Sequence, residues 1–266
     1  MGLPMARNLV AAGHEVVGCD VDPSRAQEFG SAATPVEAAE GADFALLSLP
    51  APGIVDEVAA GLPADLFLVD MSTGPPALAR RLAERFGSAL DAPVSGGPRG
   101  AETAALTIMV GGRAEDFTRA EPVLKALGRP VHVGRPGAGQ AAKLCNNLIA
   151  GVTMAAIAEA CALATAEGLD PATLYDLLTT STGDSRVLRT RFPLEGGDPA
   201  HPVASGYEAL FALDLIAKDL ALAGALAEEQ GVEVPLAEAA LAAYAAAQAQ
   251  GLGHLDYSAV YLSTKP

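Results

Sequence analysis

Tryptophan is absent from the 266 residues, and the aromatic residues together make up only 5%. A chain so poor in aromatics, half hydrophobic and rich in alanine, favours helix packing over a β-sandwich. Positive charge is scarce too. Lys and Arg number 17 against 32 Asp and Glu, for a formal net charge of −15. That balance argues against nucleic acid as a partner, because a phosphate backbone is bound by Lys/Arg surfaces. It leaves a small anionic ligand open, since such a ligand needs only a local positive site. Cysteine is limited to Cys19, Cys145 and Cys161, with no CxxC pair, so buried thiols in a reducing compartment are expected. The four histidines (His14, His132, His201, His254) are scattered without metal-ligand spacing, and no metal is expected. No signal peptide and no twenty-residue uncharged apolar span is visible, which reads as a cytoplasmic protein without a membrane partner.

The chain alternates strands and helices and then turns wholly helical. Met1–Ala12 reads as a helix stopped by Gly13, Glu15–Asp20 as a buried strand ending on an acid, and Asp22-Pro23-Ser24 as the start of a second helix. Further strands are expected at 44–49, 66–70, 88–91 and 106–110, with a weaker one at 131–133. Apolar strands separated by helices mean a parallel or mostly parallel sheet covered on both faces, a doubly wound fold with ligands at the carboxyl ends of its strands. From 137 onward the pattern contains no strand. Helices are expected at 140–167, 171–179 (capped by Asp170), 185–192, 213–230 and 235–250, with a short one from Asp256. The Pro- and Gly-rich stretch 193–210 is the longest irregular segment, and such loops tend to be functional or mobile. Two domains follow, 1–136 and 137–266.

Six stretches carry candidate chemistry. Asp20 ends its strand 18 positions after Gly2, the spacing of the acid that accepts from a dinucleotide's ribose 2′-OH and repels a 2′-phosphate; the same Asp would serve equally as a turn cap. Asp91-Ala-Pro-Val-Ser95-Gly96-Gly97-Pro-Arg99 follows a strand, and its paired glycines let backbone N–H groups converge on an anion, with Ser95 and Arg99 as further donors. Leu49-Pro50 and Ser72-Thr73 close two strands on the ligand edge, positions that also suit ordinary helix starts. In Gly137-Ala-Gly-Gln-Ala-Ala-Lys143-Leu-Cys-Asn-Asn147, Lys143 and Asn147 are i and i+4 and share a helix face. Lys218-Asp219 reads on its own as a surface charge pair.

In this order these stretches resemble the β-hydroxyacid dehydrogenase family, most closely its 3-hydroxyisobutyrate dehydrogenase-like members, over nearly the whole chain. Met1–Leu9 resembles the end of that family's dinucleotide motif, Asp91–Ala101 its substrate signature and Gly137–Asn147 its catalytic-lysine segment. The resemblance implies a Rossmann-like α/β domain followed by an all-α dimerisation and substrate domain. It implies Lys143 as general acid/base, Ser95, Gly96, Gly97 and Asn147 on the substrate, and Gly2, Asp20, Leu49, Pro50, Thr73 and Lys218 on the cofactor. The implied cofactor is NAD, with NADP disfavoured by Asp20. The implied substrate is a small hydroxy carboxylate and the implied assembly a homodimer or homotetramer. Burial and the positive nicotinamide ring are expected to favour the neutral amine of Lys143.

Two departures accompany the resemblance. The family's first strand and the first two glycines of its G-x-G-x-x-G fingerprint are missing from the sequence. In addition, the 52–66 region is shorter than usual, with Ile54 where some relatives carry a polar cofactor contact. Besides an NAD-dependent 3-hydroxyacid dehydrogenase, a semialdehyde or glyoxylate-type reductase and a truncated, non-catalytic fragment remain open. Imine reductases, which share the architecture, resemble the chain less because Lys143 is in place. The expectation is that the true product begins roughly a dozen residues upstream, since that fingerprint needs its strand. The nucleotide sequence before the Met1 codon checks it: an in-frame strand with G-x-G is expected, and its absence would refute the expectation.

Overall fold

The computed structural model describes residues 1–30 and 32–264. The chain divides into two compact units, Met1–Lys143 and Leu144–Pro266. The sequence places the boundary at 136/137; the division falls inside a helix whose first turn is hydrogen-bonded to the loops of the first unit.

The first unit opens with α1 (Gly2–Ala11), stopped by Gly13 at φ +93°, a left-handed value that glycine adopts freely. Two 3₁₀ turns (Pro23–Arg25 and Gln27–Phe29) follow in place of the expected second helix. Then come α2 (Pro35–Ala39), β1 (Phe44–Leu47), α3 (Pro52–Gly61), β2 (Phe67–Asp70), α4 (Pro76–Phe86) and β3 (Ala89–Asp91). The unit continues through β4 (Val94–Ser95), α5 (Gly97–Glu102), β5 (Leu106–Gly111), α6 (Ala114–Lys125), β6 (Gly128–Gly134) and the start of α7 (Ala138–Ala166). Strand order is β1-β2-β3-β5-β4, with β6 also on β5. The β1–β2, β2–β3 and β5–β6 pairs are parallel, whereas β3–β5 and β4–β5 are antiparallel, so the sheet is mixed.

Residues alternate across the sheet as strand geometry demands. On β2, Phe67 and Val69 join one core with Met5, Leu9, Leu90 and Ile108, while Leu68 joins the other with Val55, Leu78 and Phe86. Leu68, Leu90, Leu106 and Ile108 are at most 2% exposed, and burial of each such side chain is worth roughly 1.5–3 kcal/mol.

Glu15–Asp20 is extended but is not a strand. A strand needs a ladder partner for its N–H and C=O groups. In a doubly wound sheet that partner is the strand before the first helix, and no such strand is present among the described residues. Among the described residues, the segment's backbone bonds beyond its own turn are Gly18 N–H to Phe29 O and Ala32 N–H to Gly18 O, and Val17 is left half exposed.

The second unit is helical among its described residues, apart from one isolated bridge between Ala212 and Asp256. It contains the rest of α7, then α8 (Pro171–Thr179), α9 (Arg186–Arg191), α10 (Leu213–Gln230), α11 (Pro235–Ala249) and α12 (Tyr261–Thr264). Leu213, Ile216, Ala217, Leu220, Ala223 and Ala227 form the buried stripe of α10, at i, i+3, i+4 spacing. Asp170 caps α8 by accepting from Thr173 N–H, as expected.

Cys161 lies in this core, where burial pushes its thiol up to about 12. Cys19 and Cys145 are exposed, contrary to expectation: Cys19 sits in the unpaired segment and Cys145 on the outward side of α7. At 29 residues α7 is also long and apolar enough to cross a membrane by length and composition alone. Its lone mid-helix acid, Glu159, interrupts the uncharged run without ending the helix. Met154, Ala158 and Cys161 are fully buried in the core, so we read α7 as a core helix.

Two glycines test this packing. A Cβ on Gly139 would collide with Met109 O, Asp91 O and Gly111 N, whereas one on Gly224, inside α10, meets nothing. Gly139→Ala is expected to lower unfolding free energy by about 3 kcal/mol through overpacking against rigid backbone. Gly224→Ala is expected to raise it by up to about 1 kcal/mol through helix propensity. Denaturant titration of both checks this; equal effects would contradict the packing.

Candidate active site

β3 ends at Asp91, and the chain crosses to β4, whose Val94 and Ser95 pair with Ile108 and Thr107. Gly96 (φ +141°) and Gly97 (φ +63°) then turn into α5, in conformations that side chains rarely tolerate. Ser95 and Gly97 are half-buried, Gly96 and Arg99 exposed.

Over this turn lies the first part of α7. Lys143, 7% exposed, donates from Nζ to Val94 O at 2.7 Å. The amine expected to move a proton is thus fastened to the residue immediately before Ser95. Its helix is held at the start by Asp91, 4% exposed, whose Oδ1 accepts from Gly137 N–H and Oδ2 from Gln140 N–H, both at 2.8 Å. Such charge-assisted bonds at a helix N-terminus also meet the positive end of its dipole. Burial nevertheless dominates and pushes the Asp91 carboxyl up to about 6, with the backbone N–H bonds opposing it.

The loops at the carboxyl ends of β1 and β2 are joined to each other. Leu49 N–H donates to Ser72 Oγ at 2.9 Å, and Ser72 N–H to Asp70 Oδ1 at 2.9 Å. Thr73 is half-buried in the second loop and Pro50 exposed in the first. Gly2 stands at the start of α1, where a Cβ would lie 3.9 Å from that of Ser48, just beyond β1. Asp20 is exposed, and its Oδ1 accepts from Asp22 N–H at 2.9 Å, so it does cap the turn.

In the second unit, Asp219 is 1% exposed. Its Oδ2 accepts from Asn147 Nδ2 at 2.5 Å and its Oδ1 pairs with Lys218 Nζ at 3.0 Å. Lys218-Asp219 is therefore a half-buried pair rather than a solvated one. Its carboxylate orients Asn147.

Residues 1–134 match the profile described as the NAD binding domain of 6-phosphogluconate dehydrogenase. Residues 137–263 match that described as NAD-binding of NADP-dependent 3-hydroxyisobutyrate dehydrogenase. A 3-hydroxyisobutyrate dehydrogenase of Pseudomonas aeruginosa is 39% identical over 98% of this chain and 94% of that protein. The chain belongs to the β-hydroxyacid dehydrogenase family, among its 3-hydroxyisobutyrate dehydrogenase-like members. An NAD-dependent L-serine dehydrogenase of Pseudomonas aeruginosa is 36% identical over 98% of this chain and 93% of that one. The solved structure of Mycobacterium tuberculosis 3-hydroxyisobutyrate dehydrogenase with L-serine matches at a TM-score of 0.90 and 36% identity, covering 100% of this chain and 96% of that one.

Within this dehydrogenase fold the first unit gathers Lys143 and the Ser95–Gly97 turn on one side, and links Leu49-Pro50 to Ser72–Gly74 on another. Three polar residues that hold these groups carried no assigned role in the sequence: Asp91, Gln140 and Asp219. Each is nearly solvent-free with a partner more than forty residues away, which no local spacing announces. The irregular 193–210 stretch surrounds a hollow of about 350 Å³, lined among others by Leu194, Glu195, Gly197 and Val203 and by none of the expected site residues.

Asp91 has a measurable signature. Its folded value of about 6 lies above the ordinary 3.8 of an aspartate, so protonation favours the folded state. That stabilisation is fully present below pH ~4 and fades as pH rises through about 6, to a total on the order of 3 kcal/mol. Asp91→Asn is expected to remove this dependence. Denaturant unfolding of both proteins across that window measures it, and a wild-type-minus-variant difference that stays constant with pH would contradict it.

Proposed function

We propose that this chain is an NAD-dependent dehydrogenase of a small 3-hydroxy acid, 3-hydroxyisobutyrate or a close analogue such as L-serine, with Lys143 as general acid/base. The observation that carries this reading is the 2.7 Å bond from Lys143 Nζ to Val94 O, which seats the amine beside the glycine turn.

Ser95 and the backbone N–H groups of Gly96 and Gly97 hold the substrate carboxylate, which fixes the carbinol carbon in reach of the amine. Neutral Lys143 accepts the hydroxyl proton during oxidation and returns it during reduction. Val94 O accepts one hydrogen bond from Nζ, which fixes where the amine sits. Asn147, one helical turn further along α7, is assigned the second polar contact with substrate on the resemblance alone.

The residues present fit NAD. The start of α1 offers first-turn N–H groups with no side-chain cap, beside the carboxyl end of β1. Exposed Asp20 suits a ribose diol and repels a 2′-phosphate, which supports NAD over NADP even though the profile matching the helical part names NADP. Leu49, Pro50 and Thr73 line the linked strand-end loops, and Lys218 is assigned to the same ligand. Bound NAD supplies the hydride acceptor; the protein supplies placement and the proton path.

The enzyme is read as cytoplasmic and as a homodimer or homotetramer assembled through its helical part. Ile149 and Leu163 on α7, and Leu177 and Leu236 on α8 and α11, are each more than half exposed and support such an interface.

Lys143→Ala is expected to lower kcat for hydroxy-acid oxidation by about 10²–10⁴-fold, the usual contribution of a positioned acid/base, while NAD affinity stays close to wild type. Lys143→Arg, which keeps charge without a usable base, should stay slow and lose the wild-type pH limb. Steady-state rates against pH, with fluorescence titration of NAD, test this. Alanine kcat at wild-type level would refute the role of Lys143.

A further inference from the structure

Gln140 is 1% exposed, and its side-chain amide spends both halves on one turn of backbone. Nε2–H donates to Ser72 O at 2.9 Å, and Oε1 accepts from Gly74 N–H at 2.9 Å. The residue bracketed by these bonds is Thr73. Ser72 also receives Leu49 N–H on its Oγ, so the grip extends to the loop after β1. On its other side Gln140 donates its own N–H to Asp91 Oδ2, and three residues further along α7 stands Lys143. One amide therefore fastens the loop assigned to the cofactor to the first turn of the helix that carries the amine.

We propose that Gln140 is a positioning residue for hydride transfer: it sets the register between the Ser72–Gly74 turn and Lys143, and so between the ring that takes the hydride and the group that takes the proton. The proposal rests on the function given above. The chemistry of the residue is specific. An amide of this length presents a donor and an acceptor together, whereas ionised Glu presents only acceptors, Lys only donors, and Met neither in strength. A register error need not be large to matter, because misplacement by about 1 Å can cost on the order of 10²-fold in rate.

Gln140→Glu separates positioning from simple packing. The protonated acid reproduces both bonds, with O–H to Ser72 O and C=O to Gly74 N–H. The ionised form points a negative oxygen at the Ser72 carbonyl. The charged groups around it are Asp91 on β3, Asp70 before Ser72 and Lys143 on its own helix, with the permanently charged Arg80 of α4 beside Gly137. All are common to both proteins, so the reading is the ratio of variant to wild type. That ratio of kcat, at saturating NAD and hydroxy acid, is expected to climb toward one as pH falls and to drop by about 10²-fold at alkaline pH. Gln140→Met, of similar volume and without either bond, should be slow at every pH, with KM for the hydroxy acid changing less than kcat.

A second readout uses the cofactor-free protein. Hydrogen exchange of the Gly74 amide should be slow in wild type, fast in Gln140→Met and pH-dependent in Gln140→Glu beyond the intrinsic exchange rate. A Gln140→Glu ratio flat with pH, or Gly74 exchange unaltered by the substitutions, overturns the positioning role while a wild type that turns over keeps the proposed function. Wild-type protein that oxidises no hydroxy acid overturns the function, and the positioning role with it.

Discussion

A carboxylate clamped on the first turn of a helix organises the first unit. Asp91 takes the N–H groups of Gly137 and Gln140, two of the orphan donors that a helix start leaves unpaired. It can do so only because Gly111 and Gly139 lack side chains: a Cβ on Gly111 would strike the carboxylate itself, and one on Gly139 the backbone of Asp91 and Met109. The buried carboxylate thus requires close backbone approach. The cost is visible in the Asp91 carboxyl, pushed up to about 6 because desolvation outweighs the N–H bonds that favour the anion.

From that anchor the polar geometry follows in order. With α7 fixed in rotation and height, Gln140 reaches the turn after β2 and Lys143 reaches the strand residue before Ser95. Side chains at positions 140 and 143 are neighbours on a helix surface, so one helix face serves two loops at once. The second unit uses the same device on a smaller scale, since the buried Asp219 carboxylate holds Asn147 and Lys218 together. In both units the residues expected to touch ligand are braced by an acid that is not.

Much of the architecture was legible because it is written in local spacing. The α10 stripe, the cap at Asp170, the stop at Gly13 and the strands at 67–70 and 106–111 depend on neighbours within a few residues. The family was legible because ordered motifs, each weak by itself, occur together. What escaped was set by partners far along the chain. Glu15–Asp20 has a strand's composition but joins no ladder among the described residues. Val94–Ser95 is too short to show a period, yet pairs with β5 because β3 and β5 bring it there. Cys145 lies in an apolar run but faces outward, since a helix of mixed apolar residues does not announce which side is covered. Gln140 has no local feature that announces its role, and its partners at 72 and 74 emerge only once Asp91 has placed the helix.

The most direct measurement is the steady-state oxidation of 3-hydroxyisobutyrate and L-serine by the full-length protein, with NAD and NADP compared at equal concentration and reduced cofactor followed by absorbance. The account predicts saturable turnover of at least one of these acids, with kcat/KM for NAD well above that for NADP because Asp20 meets the ribose. No turnover of either acid with either cofactor, or a clear preference for NADP, would contradict it.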